Sequence, residues 1–245
     1  MGHKKHKIAV LLLIMALAQA GTTFGQDIYH AYIRNRMDEW RAIIDRLQTV
    51  ENKAGTRILE LVNYQYGYIG YCITFDRKEE ARKYLDQAEE NILILEKLKF
   101  RLSDIYAYRS AFYGFKMKIN PVTVPYYGLK SIKYVKLALD LDSNNYMAHI
   151  QNGYVYCNMP ASIGGSVQKG LSYYLKAREL LEKDQAGLAG NWNYLNLLTL
   201  IAQSYSSVND YPMARSTYEF ILRLEPGFIY VRDDLYPQLL KKMNQ

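Results

Sequence analysis

The chain has 245 residues, 22% of them charged and 49% hydrophobic, with a formal net charge of +7. That length supplies one cooperative domain or a short solenoid. Lysines and arginines are scattered among glutamates and aspartates, with Lys241-Lys242 the only late basic pair, which argues against a nucleic-acid-binding stripe.

Residues 1–20 read as an export signal. Lys4, Lys5 and Lys7 form a basic start, Ile8 to Ala18 an uncharged apolar run, and Ala18-Gln19-Ala20 a signal-peptidase site. Thr23-Phe24-Gly25 is a second acceptable site, which would move cleavage as late as residue 25. The apolar run is about 11 residues, too short for a hydrocarbon core that needs about 20. No cysteine follows it for lipid attachment, and no later stretch resembles a membrane span. Without the three signal lysines, 28 basic groups face 24 acidic ones. The expectation is an exported, periplasmic protein whose residues 26–245 form a single domain.

From there the pattern is helical. Met37, Trp40, Ile44 and Leu47 trace one apolar stripe, so residues 28–50 predict a single amphipathic helix. Helices follow at 56–75 and 77–99, the latter with the seam Ala81, Leu85, Ala88, Ile92 and Leu95. A helix over 102–118 ends at Asn120-Pro121, because proline cannot continue the hydrogen-bond ladder. Its partner covers 127–142 and stops in the turn formers Asp142-Ser143-Asn144-Asn145. Pairs at 145–158 and 166–184, then 190–208 and 210–224, complete the array. A last helix over 228–243 is expected to break near Pro237.

An internal echo organises these segments. Gly114, Pro121, Lys130, Tyr134, Ala138 and Leu141 recur 39 residues later as Gly153, Pro160, Lys169, Tyr173, Ala177 and Leu180. Self-similarity at such spacing means stacked helix pairs that bury their faces against neighbours. Small residues mark where two helices approach closely, with a large neighbour filling the flanking groove. The last unit carries Ala202, Tyr205, Ala214, Tyr218 and Pro226, and the third carries Gly153, Tyr156, Gly170, Tyr174 and Ala177. The second keeps Gly114, Ser131, Val135 and Ala138, and the first Ala81, Leu85 and Ala88. On these residues the chain resembles tetratricopeptide repeats. The resemblance implies an all-α solenoid of about four helix-turn-helix units, with an N-terminal helix and a C-terminal capping helix. The middle units depart from the family by about five extra residues between their helices.

One insert is distinctive. Pro160-Ala161-Ser162-Ile163-Gly164-Gly165 resembles the Pro-x-x-x-Gly-Gly loop of periplasmic tetratricopeptide proteins of the TRAP-transporter T-component type, which enclose a ligand tunnel. This makes Pro160, Gly164 and Gly165 a candidate functional loop. Physically, tandem glycines before a helix either present free N–H groups to an anion or let the chain turn tightly with Ser166 as the cap.

Tetratricopeptide arrays bind along the concave face lined by the first helix of each pair. Helical projection places Asn63, Tyr66, Tyr108, Phe115, Tyr154, Asn196 and Gln203 there, with Lys118 at the edge. Aromatic and amide side chains suit an envelope protein or an extended peptide; a small molecule within the array is the alternative. The same tyrosines also serve as helix-interface packing. Cys72 and Cys157 are expected as buried free thiols rather than a disulfide. His30 and His149 stand alone, so neither a metal nor another cofactor is expected. Asp233-Asp234 point to different sides of a helix, and HExxH, GxSxG and GxxxxGK[ST] elements are missing. The overall expectation is a non-enzymatic binding scaffold.

Overall fold

The computed structural model describes residues 24–244, and no strand occurs among them. The export signal and most of its cleavage sites lie outside the described residues. Five antiparallel helix pairs stack in chain order. They are α1 (residues 24–33) with α2 (Met37–Gln48), α3 (Gly55–Thr74) with α4 (Lys78–Lys97), and α5 (Leu102–Ile119) with α6 (Val124–Leu141). Then come α7 (Tyr146–Asn158) with α8 (Val167–Leu181), and α9 (Trp192–Ser207) with α10 (Tyr211–Leu224). A π-helical turn, Tyr230–Leu235, runs into the capping helix α11 (Tyr236–Met243). The chain stays helical from residue 229 to 243, so in place of the break expected near Pro237 there is a change of register, with the π-helical turn just before the proline, which has no N–H to donate.

The single helix expected over 28–50 is two helices. Asn35 is left-handed (φ 54°) and the Arg36 N–H donates to the Ala31 carbonyl at 2.8 Å, the closure that ends a helix at a left-handed residue. The same turn joins α3 to α4, with Asp76 at φ 56° and Arg77 N–H on the Cys72 carbonyl at 2.7 Å. It recurs between α9 and α10, with Asn209 at φ 61° and Asp210 N–H on the Tyr205 carbonyl at 2.9 Å. Asn and Asp tolerate this conformation better than other non-glycine residues. The two middle pairs instead carry 3-10 inserts, Pro121–Thr123 and Ala161–Ile163.

Close helix crossings follow the small residues, with one exception. A Cβ on Gly153 would sit 2.3 Å from the Tyr174 ring, and one on Gly170 would sit 2.2 Å from the Cys157 sulfur. Between α5 and α6 the contact is made by Ser110 and Ser131, whose hydroxyls lie 3.1 Å apart and donate to each other's carbonyls. Gly114, the echo partner of Gly153, faces open space. Ala138 and Ala177 are both fully buried.

The solenoid closes on itself. Trp40 of α2 meets Trp192 of α9 at 4.9 Å between ring centroids, nearly perpendicular at 76°. They converge over Gly67 of α3, where a Cβ would lie 2.6 Å from one ring and 2.7 Å from the other. Tyr32 of α1 packs on both tryptophans and on Phe228. Its hydroxyl donates to Asn196 (3.3 Å), and that of Tyr29 donates to Glu225 (2.9 Å). The first and last pairs thus bind each other across the inner face.

Cys72 is fully buried, Cys157 half-buried, and both are free. Burial pushes the Cys72 thiol up to about 11, so alkylation of the native protein at pH 8 is expected to leave Cys72 unlabelled until denaturant is added. Gly153→Ala is expected to cost about 1–3 kcal/mol through overpacking against Tyr174. Gly114→Ala is expected to add about 0.5–1 kcal/mol, because alanine suits a helix interior and meets nothing. Urea unfolding of the two variants checks the opposite signs.

Candidate functional site

Closure leaves a cleft of about 410 Å³ where the first helices begin. Five helices contribute, α1 through Gly25. α3 supplies Thr56, Leu59, Glu60 and Asn63, and α5 supplies Asp104 and Tyr108. α7 supplies Tyr146, and α9 supplies Trp192 and Asn193. The remaining wall is the segment before α9, where Asn191 caps the helix by accepting the N–H groups of Asn193 (3.0 Å) and Tyr194 (3.3 Å). Gly190 there is left-handed (φ 70°) and lies so close to the Gln26 side chain that a Cβ would come within 2.7 Å of it.

Asn63 is the hub. Its carbonyl oxygen accepts from the Trp192 indole N–H (3.0 Å) and from the Asn193 amide (3.3 Å), while its amide donates to the Tyr108 hydroxyl (2.8 Å). Arg101 enters from the α4–α5 turn, placed by its own left-handed backbone (φ 47°) and that of Lys99 (φ 50°). Its guanidinium lies 2.5 Å from Asp104 and stays largely exposed, while the Asn145 amide holds the other Asp104 oxygen at 2.9 Å. Glu60 receives the Tyr64 hydroxyl (2.6 Å) and pairs with Arg57 (2.6 Å). Burial, with the Asp104 charge adding to it, pushes the Tyr146 phenol up to about 12. Burial also raises Tyr108 well above the ordinary phenol value. Both remain neutral hydrogen-bonding groups across the physiological range. The cleft therefore offers an aromatic floor, phenol and amide hydrogen bonds, the carboxylates of Glu60 and Asp104, and at the rim the largely exposed Arg101 guanidinium, which pairs with Asp104.

The seven residues projected onto a concave groove divide three ways. Asn63 and Tyr108 line the cleft. Tyr66, Phe115 and Tyr154 belong to the packed interior behind it. Tyr66 stacks on Phe115 at 5.6 Å, meets Tyr108 and Trp192, and accepts the Gln151 amide at 3.1 Å; burial pushes its phenol up to about 12. Tyr154 sits edge-on to Tyr174 at 5.9 Å. Asn196 is held by Tyr32, and Gln203 lines a separate cleft of about 350 Å³ with Tyr218, Gln238 and Lys242. The open aromatic groove is thus replaced by a filled interior, because Trp192 and α1 occupy the space.

The Gly164-Gly165 loop borders neither cleft. Its N–H groups are internally bonded: Gly164 to the Ala161 carbonyl (3.1 Å), Gly165 to Pro160 (3.0 Å) and Ser166 to Tyr156 (2.9 Å). Ser166 caps α8 by accepting the Lys169 N–H at 3.2 Å. Of the two physical readings of this loop, the tight turn holds and the anion nest does not. Trp192, Arg101 and Tyr146 escaped the sequence projection because the contact between α3 and α9 spans 129 residues. The available signal was Gly67, a glycine inside a helix in a chain with two tryptophans.

No protein-family model matches the chain, and no curated protein matches it in sequence. Among solved structures it is similar to the HusA haemophore from Porphyromonas gingivalis, at 18% identity and a TM-score of 0.61, over 76% of this chain and 93% of that one. It is also similar to a thermophilic tetratricopeptide-repeat protein of Thermus thermophilus, at 17% identity and a TM-score of 0.58, over 86% and 94%. At these identities the likeness is one of fold, and the fold is an all-α, tetratricopeptide-like solenoid. Nothing among these neighbours supports the T-component resemblance of the 160–165 loop.

Asn63→Leu is expected to cost about 2–3 kcal/mol, since the indole and amide donors facing it lose their acceptor inside the protein. Thermal unfolding measures that loss. Trp192→Phe, which removes one of the two indole rings while keeping the aromatic floor, is expected to cost less.

Proposed function

We propose that this protein is an exported, non-enzymatic binding protein that captures a small amphiphilic ligand in the cleft organised by Asn63. The observation that carries the reading is the combination of a closed inner face and an open mouth. The rings that would grip an extended peptide along the inner face are spent on one another. The mouth keeps an aromatic floor under an exposed guanidinium. A ligand with a flat apolar body and a carboxylate or other anionic group matches that arrangement. The haemophore neighbour makes haem the first compound to try, as cargo.

Native mass spectrometry of the protein purified from its own envelope is expected to show an adduct of a few hundred daltons. Titration with haem and with other planar carboxylates then ranks ligands. Arg101→Gln and Thr56→Trp, one removing the rim cation and the other filling the mouth from an exposed position, are expected to weaken binding at least tenfold without lowering Tm. A stoichiometric protein partner with no adduct, insensitive to both substitutions, would instead favour a protein-binding scaffold.

A further inference from the structure

The turns within successive helix pairs emerge together, because the stacked first helices α3, α5 and α7 run parallel. On this edge large apolar side chains project into solvent: Val122 is 86% exposed, Leu129 73%, Ile163 68% and Tyr126 59%, with Phe75 beside them on the α3–α4 turn. Such side chains gain nothing from water, and the backbone prevents them from folding down. Val122 sits in the 3-10 turn, its N–H on the Asn120 side chain at 3.3 Å. Ile163 is held by the Pro160–Gly165 closure, in which Gly165 lies so close that a Cβ would meet the Met159 carbonyl oxygen at 1.7 Å.

Behind the tips lie tyrosines and lysines. Lys130 sits 4.1 Å over the Tyr126 ring, and its echo partner Lys169 sits 4.1 Å over Tyr156. Tyr113 stacks on Tyr127 and Tyr156 on Tyr173, each at 5.4 Å. Lysines lie near these tips, while the α3–α4 turn that carries Phe75 also carries the exposed carboxylates Asp76 and Glu79, each paired with a neighbouring cation. Residues 105–178 hold nine lysines and arginines against two carboxylates, Asp140 and Asp142, and those two lie at the opposite end of α6 from the tips. Arg109, Lys116, Lys176 and Arg178 are paired with glutamates. Lys118, Lys130, Lys133, Lys136 and Lys169 make no ion pair among the described residues.

We propose that this edge docks the protein peripherally on an anionic lipid leaflet. The aliphatic tips enter the acyl boundary, the tyrosines lie at headgroup level and the lysines reach lipid phosphates. Val122, Tyr126 and Leu129 follow one another at helical spacing with Lys118 and Lys130 nearby in the chain, and aliphatic, aromatic and cationic groups on one edge are what an anionic leaflet accommodates. No described helix is long and apolar enough to cross a membrane, so attachment through this edge is peripheral. The tips sit at the C-terminal ends of the first helices and the Asn63 cleft at their N-terminal ends, on the order of 25 Å away at 1.5 Å per residue. A docked protein would present its cleft away from the leaflet. The inference does not depend on what the cleft binds.

Flotation of the purified full chain with vesicles of phosphatidylcholine, alone or with phosphatidylglycerol, tests this. Binding is expected to be at least tenfold stronger to the anionic vesicles and to weaken in high salt. Val122→Asp with Ile163→Asp, and separately Lys130→Glu with Lys169→Glu, are each expected to reduce it at least tenfold with an unchanged melting curve. Leu98→Asp, an exposed apolar position on the α4–α5 turn at the other edge, is the control and is expected to have no effect. The proposal is overturned by equal binding to neutral vesicles, by no binding to anionic ones, or by an equal loss in the control. It is also overturned if the edge substitutions change only the oligomeric mass in the absence of vesicles.

Discussion

Two tryptophans meeting over a glycine hold this solenoid shut. Trp40 and Trp192 lie 4.9 Å apart and their rings occupy the space that a side chain at position 67 would fill. An edge-to-face pair of buried aromatics is favoured by its quadrupoles and by the area it removes from water. Because the two rings come from the second and ninth helices, that local contact fixes a global property. It decides that the inner face is a core and not a channel. Tyr32 and the Asn63 hydrogen bonds depend on the same closure, since each joins the N-terminal half of the chain to α9.

Closure also determines what remains available for recognition. The residues that line an open superhelix are consumed, and the surfaces left open include both ends of the first helices. At their N-terminal ends the cleft combines neutral phenols with one exposed guanidinium. At their C-terminal ends the turns project apolar tips backed by lysines that make no ion pair among the described residues. The two ends are chemically distinct because they are built from different things, caps and loop closures in the first and inserted 3-10 turns in the second. The 39-residue echo contributes to the second end, since the repeat equivalents Lys130 and Lys169 each lie over a tyrosine ring, Tyr126 of the same helix in one case and Tyr156 of the partner helix in the other.

Much of the fold was legible in the sequence. Asn120-Pro121, Asp142 to Asn145 and Pro226 ended helices within a few residues of the observed ends, since each carries a local reason to stop. Ala138 and Ala177 read correctly as buried contacts. The break at Asn35 was missed because helical periodicity continues on both sides of a one-residue left-handed turn. Gly114 misled in the other direction: the letter repeats but the contact does not, and Ser110 and Ser131 make the crossing instead. The candidate site was half legible. Asn63 and Tyr108 fell in the cleft because a helical projection finds the inward face correctly. Whether that face is open depends on a contact between residues 129 apart, which no local pattern reports.

The two tryptophans in the chain are the two at the closure, so intrinsic fluorescence of the ligand-free protein reads that closure without labels. Closure predicts blue-shifted emission that iodide barely quenches, and a near-UV circular dichroism couplet that disappears in Trp40→Phe and in Trp192→Phe alike. Red-shifted emission that iodide quenches readily, with near-UV spectra of the two variants simply summing to that of the parent, would mean that the inner face is open.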